Sequence, residues 1–549
     1  MSMVIIQEAW LDEIKKLLNE AEVAAIQERY RWNSGRGRIK LAVTDWSDES
    51  LDRFYAFLGQ KADGGDRSAK LSQTTVRQWQ EIKGNPDGGH VSKLENLEPV
   101  LRRYIMMGSS RYVFQQLPDG NYVPWFVSKI EYSKPTRQSV ASVSVTLLGI
   151  NTGMGNRGRR EECERGSILI CTEDIRKRTI SQVLKLKGYY LETPMMMDSY
   201  QKDFDRFLKY CDVDGFQMSV VGKAKVISGW SHREYRSVGQ NGRPAKMVVD
   251  PPDSEKSISS VHAPYWDKNE DKVWPLPIHP VLELFDLDEH EDYRVHINNV
   301  EPYVYDDAVD QKLILPSDIK DFLTILIEHS KNKFEDIVVG KEGGTIVLIE
   351  GPPGTGKTLT AEVYSEKMHR PLYKVQSSQL GTNPEKIEEQ LKEVLRRAER
   401  WGAILLIDEA DVYIRERGED IHQNAIVGVF LRMLEYYRGV LFMTTNRGTT
   451  TDDAIISRTT ARFAYEMPDV NDQVRLWTVM SDQNKAGLTA EEIAEIVEAL
   501  PDQSGRDIKN LLKLSMVMAA NRNGRVTPEI VKFVSKFKQS GNRKQERKG

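Results

Sequence analysis

The sequence predicts an α/β fold between about residues 331 and 470, with a parallel sheet that is flanked by helices on both faces. Three strand-like runs support this prediction, at residues 345–349, 403–407 and 440–445. The runs are short and mostly apolar without alternation, as expected of strands that are buried on both faces. Helical spacing separates the runs, so the order strand, turn, helix repeats, which is typical of a parallel sheet.

The length of the chain requires further domains around this core. A chain of 549 residues is too long for one ordinary hydrophobic core, so we expect two or three domains. The predicted order is a helical segment (1–62), a polar, glycine-rich linker (63–95), a mixed α+β domain (96–250), a proline-rich connecting segment (251–330), the α/β core (331–470), a small helical lid (471–540) and a basic disordered tail (541–549).

Composition and charge exclude several classes of protein. The chain has no run of about 18 or more apolar residues, and its N-terminus lacks the features of a secretory signal, so we expect no membrane partner. Its three cysteines are odd in number and lack metal-ligand spacing, which favours a reduced, cytoplasmic setting. The formal net charge of −4 argues against a protein that binds nucleic acid over its whole surface.

A glycine-rich loop after the first strand-like run carries the strongest functional signal. The loop comprises Gly351, Pro352, Pro353, Gly354, Thr355, Gly356, Lys357 and Thr358. This order fits the pattern GxxxxGK[ST], in which glycines let backbone N–H groups surround an anion and the following helix directs its positive dipole end at it. In such loops the lysine reaches the β- and γ-phosphates and the threonine ligates Mg²⁺. We therefore expect a nucleoside triphosphate site here.

Polar side chains at the ends of the other two runs suit the same chemistry. Asp408 and Glu409 follow the second run directly. We expect Asp408 to hold the Mg²⁺ shell and Glu409 to polarise the attacking water as a general base. Asn446 ends the third run, where its amide could hold that water and sense the γ-phosphate. The alternative for Asn446 is an ordinary turn residue.

Three arginines are candidates for contacts with phosphate. Arg458 and Arg462 follow the third run closely and could be surface charges. They could also stabilise charge at the γ-phosphate of a neighbouring subunit, as arginine fingers do, and we favour this role without deciding between them. Arg506 begins a later helix, from which it could contact a phosphate or remain exposed to solvent.

Together these motifs resemble those of the AAA+ ATPases over roughly residues 333–520. The matching segments are GPPGTGKT (351–358), ILLIDEAD (404–411), TTN (444–446), SRTTARF (457–463) and SGRD (504–507). The stretch 425–446 is similar to a subgroup from fungi and bacteria in which the ATPase follows a large N-terminal region. The resemblance implies a P-loop NTPase fold with ATP and Mg²⁺ as cofactors. It also implies a hexameric ring in which Arg458 or Arg462 acts on the neighbouring subunit.

The chain departs from this family in two places. Many members that thread proteins carry an aromatic pore loop after the second strand, whereas no aromatic residue follows Ser378 in the corresponding stretch 372–385. Gripping of an extended chain by an aromatic side chain is therefore in doubt. Arg506 stands where many members carry alanine, which leaves the part of the lid in nucleotide sensing open.

The predicted function is ATP hydrolysis by a ring of identical chains that remodels a protein client. The alternative is a motor or switch that acts on DNA or RNA, in a mobile element or a defence system. The acidic net charge favours the protein client. A basic turn at residues 157–160 and the basic tail could bind acidic partners, but we expect both to be solvated.

Overall fold

The computed structural model describes most of the chain. The described residues are 3–30, 38–42, 46–106, 110–136, 139–150, 163–227, 234–239, 243–251, 264–267, 272–329, 343–381, 383–446, 451–521 and 524–539. Within 46–106 there are gaps at 65, 67–68, 70–71, 74–75, 78–79 and 81–87. The basic turn at 157–160 and the basic tail at 541–549 lie outside the described residues.

The N-terminal unit is a small cluster of helices beside a two-stranded sheet. Its antiparallel strands are Met3–Gln7 and Arg38–Ala42, and its helices are Leu11–Lys15, Glu20–Tyr30 and Asp48–Asp63. Its buried core includes Ile6 and Phe54. Ala69 and Val76, from the segment that was predicted to be a linker, are buried in the same core.

The second unit is a five-stranded antiparallel sheet. Its strands lie in the order Glu164–Cys171, Ser142–Gly149, Tyr122–Ser133, Tyr112–Gln116 and Tyr189–Leu191. Short helices flank it, at Leu97–Met106, Thr172–Ile175 and Ile180–Leu186. Val143, Val145 and Leu147 share one face and are buried against these helices, because side chains two residues apart point the same way along a strand.

The third unit is a seven-stranded sheet whose paired strands are all antiparallel. The order is Tyr235–Val238, Gly222–Val226, Asp292–His296, Val281–Asp286, Ala245–Val249, Gln217–Val220 and Val300–Pro302. The helix Pro194–Phe207 packs against this sheet, and a separate hairpin pairs Pro264–Asp267 with Lys272–Pro275. Strands from both sides of the boundary predicted at residue 250 therefore share one sheet.

The predicted α/β fold of the core is confirmed. Five parallel strands lie in the order Leu372–Gln376, Ile404–Asp408, Val440–Thr445, Thr345–Glu350 and Ala461–Ala464. The helices Pro384–Trp401 and Ile421–Tyr436 pack on one face, and Ser317–Glu328 and Lys357–Lys367 on the other. Three one-turn helices complete the core, at Ser377–Leu380, Asp411–Ile414 and Asp453–Ile456. Because all five strands are parallel, their carboxyl ends meet at one edge of the sheet.

Helices follow the sheet at the C-terminal end. They are Val470–Asn484, Ala490–Ala499, Gly505–Asn521 and Pro528–Gln539, and they share one buried core. We refer to these four helices as the lid. Across the described parts of the chain, no helix is long and apolar enough to cross a membrane.

The seven-stranded sheet packs directly against the α/β core. Phe285 contacts the rings of Tyr373 and Trp401, with centroids 5.6 and 5.2 Å away. The guanidinium of Arg397 lies 4.5 Å from the Phe285 ring, and the Trp401 indole donates a 2.9 Å hydrogen bond to Asp250. These contacts, called here the junction, join the sheet to the strand Leu372–Gln376 and to the helix Pro384–Trp401.

Replacement of Phe285 tests the packing of the junction. The Phe285 side chain is only 3% exposed, so Phe285→Ala should lower the free energy of unfolding by about 3–5 kcal/mol through lost burial and the cavity left behind. Phe216→Ala is the control, because it removes the same ring from a site that is 37% exposed and should cost about 1 kcal/mol. Urea unfolding followed by tryptophan fluorescence measures both. Equal shifts in the two variants would show that the junction contributes no stability.

Candidate functional site

The loop at residues 351–358 connects the fully buried strand Thr345–Glu350 to the helix Lys357–Lys367. Its three glycines have positive φ angles of 146° at Gly351, 84° at Gly354 and 99° at Gly356, a conformation that other residues adopt at a cost. A Cβ atom on Gly351 would lie 2.3 Å from the backbone oxygen of Tyr465. The loop therefore needs glycine both for its backbone conformation and for its close contact with the neighbouring strand.

Lys357 is the first residue of the helix, and its ammonium group turns back over the loop. It donates hydrogen bonds to the backbone oxygens of Gly351 and Pro352, at 2.8 and 2.7 Å, and to Oδ1 of Asn446 at 2.8 Å. Burial lowers the pKa of Lys357, and the nearby Asp408 carboxylate opposes that effect. The three acceptors are uncharged oxygen atoms, so the positive charge of Lys357 remains available to an anion in the loop.

The Asp408 carboxylate is held by side chains from three other segments. Its Oδ1 accepts hydrogen bonds from Thr358 at 2.9 Å and from Thr444 at 2.6 Å, and its Oδ2 lies 3.2 Å from the ammonium of Lys374. Burial raises the pKa of Asp408, but the two hydroxyl groups and Lys374 outweigh that effect, so the net pKa is below the ordinary value. An ionised carboxylate beside the Thr358 hydroxyl is a suitable pair of oxygen donors for Mg²⁺.

Glu409 and Asn446 lie at the mouth of this arrangement, and both are exposed. Glu409 has a φ angle of 55°, which is unusual for a residue with a side chain, and its backbone N–H donates to Oγ1 of Thr444 at 3.0 Å. Such backbone conformations persist where the surroundings hold them, often at functional sites. Thr444 therefore orients both consecutive acids, Asp408 through its hydroxyl hydrogen and Glu409 through its oxygen.

Arg458 and Arg462 lie away from the cavity of their own chain. The Arg462 guanidinium donates two hydrogen bonds to Oε2 of Glu350, at 2.9 and 2.7 Å, and Glu350 is the last residue of the strand before the loop. Arg458 donates to the backbone oxygen of Ala454 at 3.1 Å and lies 3.6 Å from Glu435. Neither arginine lines the cavity that the loop borders.

The lid contacts the loop through the start of the helix Gly505–Asn521. The backbone N–H of Arg506 donates to the backbone oxygen of Gly354 at 3.3 Å, and the Arg506 side chain lines the cavity. Ser504 and Asp507 bond to each other and cap this helix, with Ser504 Oγ donating to the Asp507 carboxylate at 2.6 Å. A Cβ on Gly354 would lie 2.7 Å from Ser504 Oγ, so the lid sits directly on the loop.

The loop, Asp408, Glu409, Asn446 and the start of the lid helix Gly505–Asn521 border one cavity of about 610 Å³ between the sheet, the loop and the lid. That volume is in the range of small-molecule sites. Its polar lining includes Lys357, Thr358, Asp408, Glu409, Asn446 and Arg506. Its apolar lining includes Ile314, Leu315, Met467, Leu476 and Met480. Glycines that leave room for an anion, oxygen donors for a metal and apolar side chains for a base fit a nucleotide with Mg²⁺.

Sequence reasoning missed several residues of this cavity. Ile314 and Leu315 come from the segment that was predicted only to connect domains, and their apolar side chains gave no local functional signal. Thr444 was predicted only as part of a strand, and Lys374, which contacts Asp408 from outside the cavity lining, was given no role. Their contacts with Asp408 depend on the pairing of neighbouring strands, which no local pattern reports. The predicted loop residues, Asp408, Glu409, Asn446 and Arg506 meet at the cavity, and their chemical roles stay predictions.

Comparison with protein families bears on the same segment. Residues 347–467 match the family described as "ATPase family associated with various cellular activities (AAA)". These residues are an AAA domain. The matched residues include the glycine-rich loop at 351–358, called here the phosphate loop, and the polar residues Asp408, Glu409 and Asn446. They also include Arg458 and Arg462, the two candidates for an arginine finger. Arg506 and the lid lie beyond the matched residues.

Known relatives of the AAA domain include ATP-dependent zinc metalloproteases named FtsH. That of Lactiplantibacillus plantarum is 27% identical over 220 residues, which are 37% of this chain and 29% of that protein. That of Chlamydia trachomatis is 26% identical over 220 residues, 37% of this chain and 24% of that protein. A Caenorhabditis elegans protein described as "Mitochondrial sorting homolog" is 24% identical over 217 residues, 38% of this chain and 62% of that protein. The chain spans less than a third of the length of either FtsH relative.

A solved structure gives a weaker likeness. A chain in the structure of the E. coli MS115-1 HORMA:CdnC:Trip13 complex is 18% identical, and the match covers 42% of this chain and 91% of that chain. The TM-score is 0.35, at which the likeness carries no argument about fold or partners. The assignment of residues 347–467 to the AAA family rests on the family match and on the relatives.

Proposed function

We propose that this chain hydrolyses ATP at the cavity that the phosphate loop borders. The observation that carries the proposal is the convergence of three segments at one place: Lys357 donates a hydrogen bond to Asn446, and the next residue, Thr358, donates one to Asp408. Lys357 would bind the β- and γ-phosphates together with backbone N–H groups of the loop. Apolar side chains of the cavity lining, such as Leu315 and Met480, would pack against the adenine base.

The remaining polar residues divide the chemistry of hydrolysis between them. Thr358 and Asp408 supply the oxygen atoms that would hold Mg²⁺, and the bound ion would offset negative charge on the phosphate oxygens. Glu409 lies directly after Asp408 and is exposed, so its carboxylate can accept a proton from a water molecule. The water oxygen then bonds to the γ-phosphorus while the bond to the β-phosphate oxygen breaks, which gives ADP and phosphate. Asn446, fixed by Lys357, would orient that water.

We also propose that the active form is a ring of identical chains, with six as the expected number. Arg458 and Arg462 support this proposal, because neither lines the cavity of its own chain although both follow the strand Val440–Thr445 and Asn446 closely in sequence. An arginine supplied by a neighbour would stabilise charge that develops on the γ-phosphate. Arg506, in contrast, lines the cavity of its own chain and would report the nucleotide to the lid.

The client that we propose is a protein. The FtsH relatives are named as ATP-dependent proteases, and the same coupling of ATP to a protein substrate is proposed for this chain. The three N-terminal units precede the AAA domain and would recognise the client. Because the junction packs the seven-stranded sheet on the AAA domain, movement of the core would be passed to these units. DNA or RNA as the client is the competing outcome.

Replacement of Glu409 tests the assignment of hydrolysis. Glu409→Gln should still bind ATP, because the loop and Lys357 are unchanged. Its rate of ATP hydrolysis should be lower than that of the parent chain by a factor of about 100 or more. Glu416→Gln is the control, since Glu416 is also an exposed acid a short distance along the chain. Phosphate release and binding of a fluorescent ATP analogue are measured in parallel. Turnover at the parent rate in Glu409→Gln would refute its role.

Mixtures of variants test whether the arginines act between chains. Arg458→Ala leaves its own loop intact, and Lys357→Ala leaves its arginines intact. Neither variant alone should hydrolyse ATP well, but a mixture should recover activity at sites where a Lys357→Ala chain supplies Arg458 to its neighbour. A mixture of Glu409→Gln with Lys357→Ala is the control and should not recover. The same test with Arg462→Ala decides between the arginines, and no recovery in either case would exclude action between chains.

Stimulation of the ATPase tests the client. An unfolded protein should raise the rate of ATP hydrolysis by the full-length chain, because a bound client favours the active ring. DNA and RNA should leave the rate unchanged at physiological salt. Stimulation by a nucleic acid that disappears steeply as salt is raised would overturn the protein client, since that dependence is the mark of phosphate contacts.

A further inference from the structure

Lys374 places a positively charged side chain beside the Asp408 carboxylate, which is proposed to bind the metal. Its ammonium lies 3.2 Å from Oδ2 of Asp408, while Oδ1 accepts from Thr358 and Thr444. Lys374 lies on the adjacent strand, where Gln376 pairs with Asp408. The Asp408 carboxylate therefore has a cation of the protein beside one of its two oxygen atoms.

Glu362 offers a second carboxylate to the same ammonium. It lies four residues after Thr358 on the helix Lys357–Lys367, so both side chains are on one face of that helix. Glu362 is exposed and lines the nucleotide cavity. Desolvation raises the pKa of Glu362, and the positive charge of Lys374 is the first of the neighbouring charges that oppose this rise. Among the described residues, no hydrogen bond or ion pair engages the Glu362 carboxylate.

Charge repulsion makes the position of Lys374 consequential for metal binding. A divalent ion held by Thr358 and Asp408 would lie only a few ångströms from the Lys374 ammonium. Like charges at such distances in a partly enclosed site repel with energies on the order of a few kcal/mol. The repulsion falls if the ammonium moves away from the metal and toward another carboxylate.

We propose that Lys374 is a positioning residue that pairs with Asp408 and moves to Glu362 when nucleotide and Mg²⁺ bind. In this way Lys374 orients Asp408 and raises the concentration of Mg²⁺ that is needed to fill the proposed metal site. Glu362 is the acceptor that makes the exchange favourable. This inference rests on the proposed nucleotide site.

A magnesium titration tests the exchange without any measure of turnover. The full chain is held with a fluorescent, non-hydrolysable ATP analogue, and Mg²⁺ is added while binding is followed by fluorescence. Lys374→Met keeps the length of the side chain and removes its charge, so the Mg²⁺ midpoint should fall about tenfold. In EDTA the same variant should bind the analogue several times more weakly, because a positive charge near the phosphates is lost. If Lys374 had only a structural role, Lys374→Met would weaken binding of the analogue in EDTA and would also raise the Mg²⁺ midpoint.

Two further variants act as controls. Lys374→Arg keeps the charge and should leave the Mg²⁺ midpoint within about twofold of the parent value. Glu362→Gln removes the second acceptor and should raise the midpoint. A Lys374→Met midpoint equal to or above that of the parent would overturn the exchange while leaving the nucleotide site intact. Failure of the parent chain to bind the analogue at any Mg²⁺ concentration would instead overturn the proposed function.

Discussion

The Asp408 carboxylate is the contact on which the rest of the site depends. It joins the end of its own strand to Thr358 at the start of the loop helix, to Thr444 on the strand on one side and to Lys374 on the strand on the other side. These groups meet because the strands are parallel and in register, so their carboxyl ends lie at one edge of the sheet. Loss of the carboxylate would remove the metal oxygen donor and the bond that orients Thr358.

Contacts extend from the Asp408 carboxylate through the core to the lid on one side and to the junction on the other. On one side the loop contacts the lid, where the backbone oxygen of Gly354 accepts a hydrogen bond from the backbone N–H of Arg506. On the other side Tyr373, next to Lys374, points to the opposite face of the sheet and packs against Phe285 at the junction. Neighbouring residues of the strand Leu372–Gln376 thus contact Asp408 and the seven-stranded sheet. They would connect the proposed nucleotide site with the units that are proposed to recognise the client.

Local patterns predicted the core of the fold well. The apolar runs at 345–349, 403–407 and 440–445 became buried parallel strands because each had the length and composition of a strand covered on both faces. The phosphate loop, Asp408, Glu409 and Asn446 follow strand ends, so the sequence alone placed them at one edge of a sheet. Their meeting in the structure agrees with that placement, and their chemistry awaits experiment.

Features that depend on contacts between distant segments were not predictable. The seven-stranded sheet combines strands from before and after Pro251, whereas composition favoured a boundary there. Lys374 reaches Asp408 only through the register of neighbouring strands. Part of the apolar lining of the cavity comes from residues 313–316, which carry no motif. In each case the partner lies far away in sequence, so periodicity and motif spacing contain no information about the contact.

The most direct test of the account is the binding of ATP to the purified full-length chain, measured by isothermal titration calorimetry with Mg²⁺ present. The account predicts saturable binding of one nucleotide per chain that Lys357→Ala abolishes. The substitution removes the ammonium but leaves the loop glycines and the sheet in place. Absence of binding by the parent chain, or equal affinity in Lys357→Ala, would contradict the assignment of the cavity as a nucleotide site.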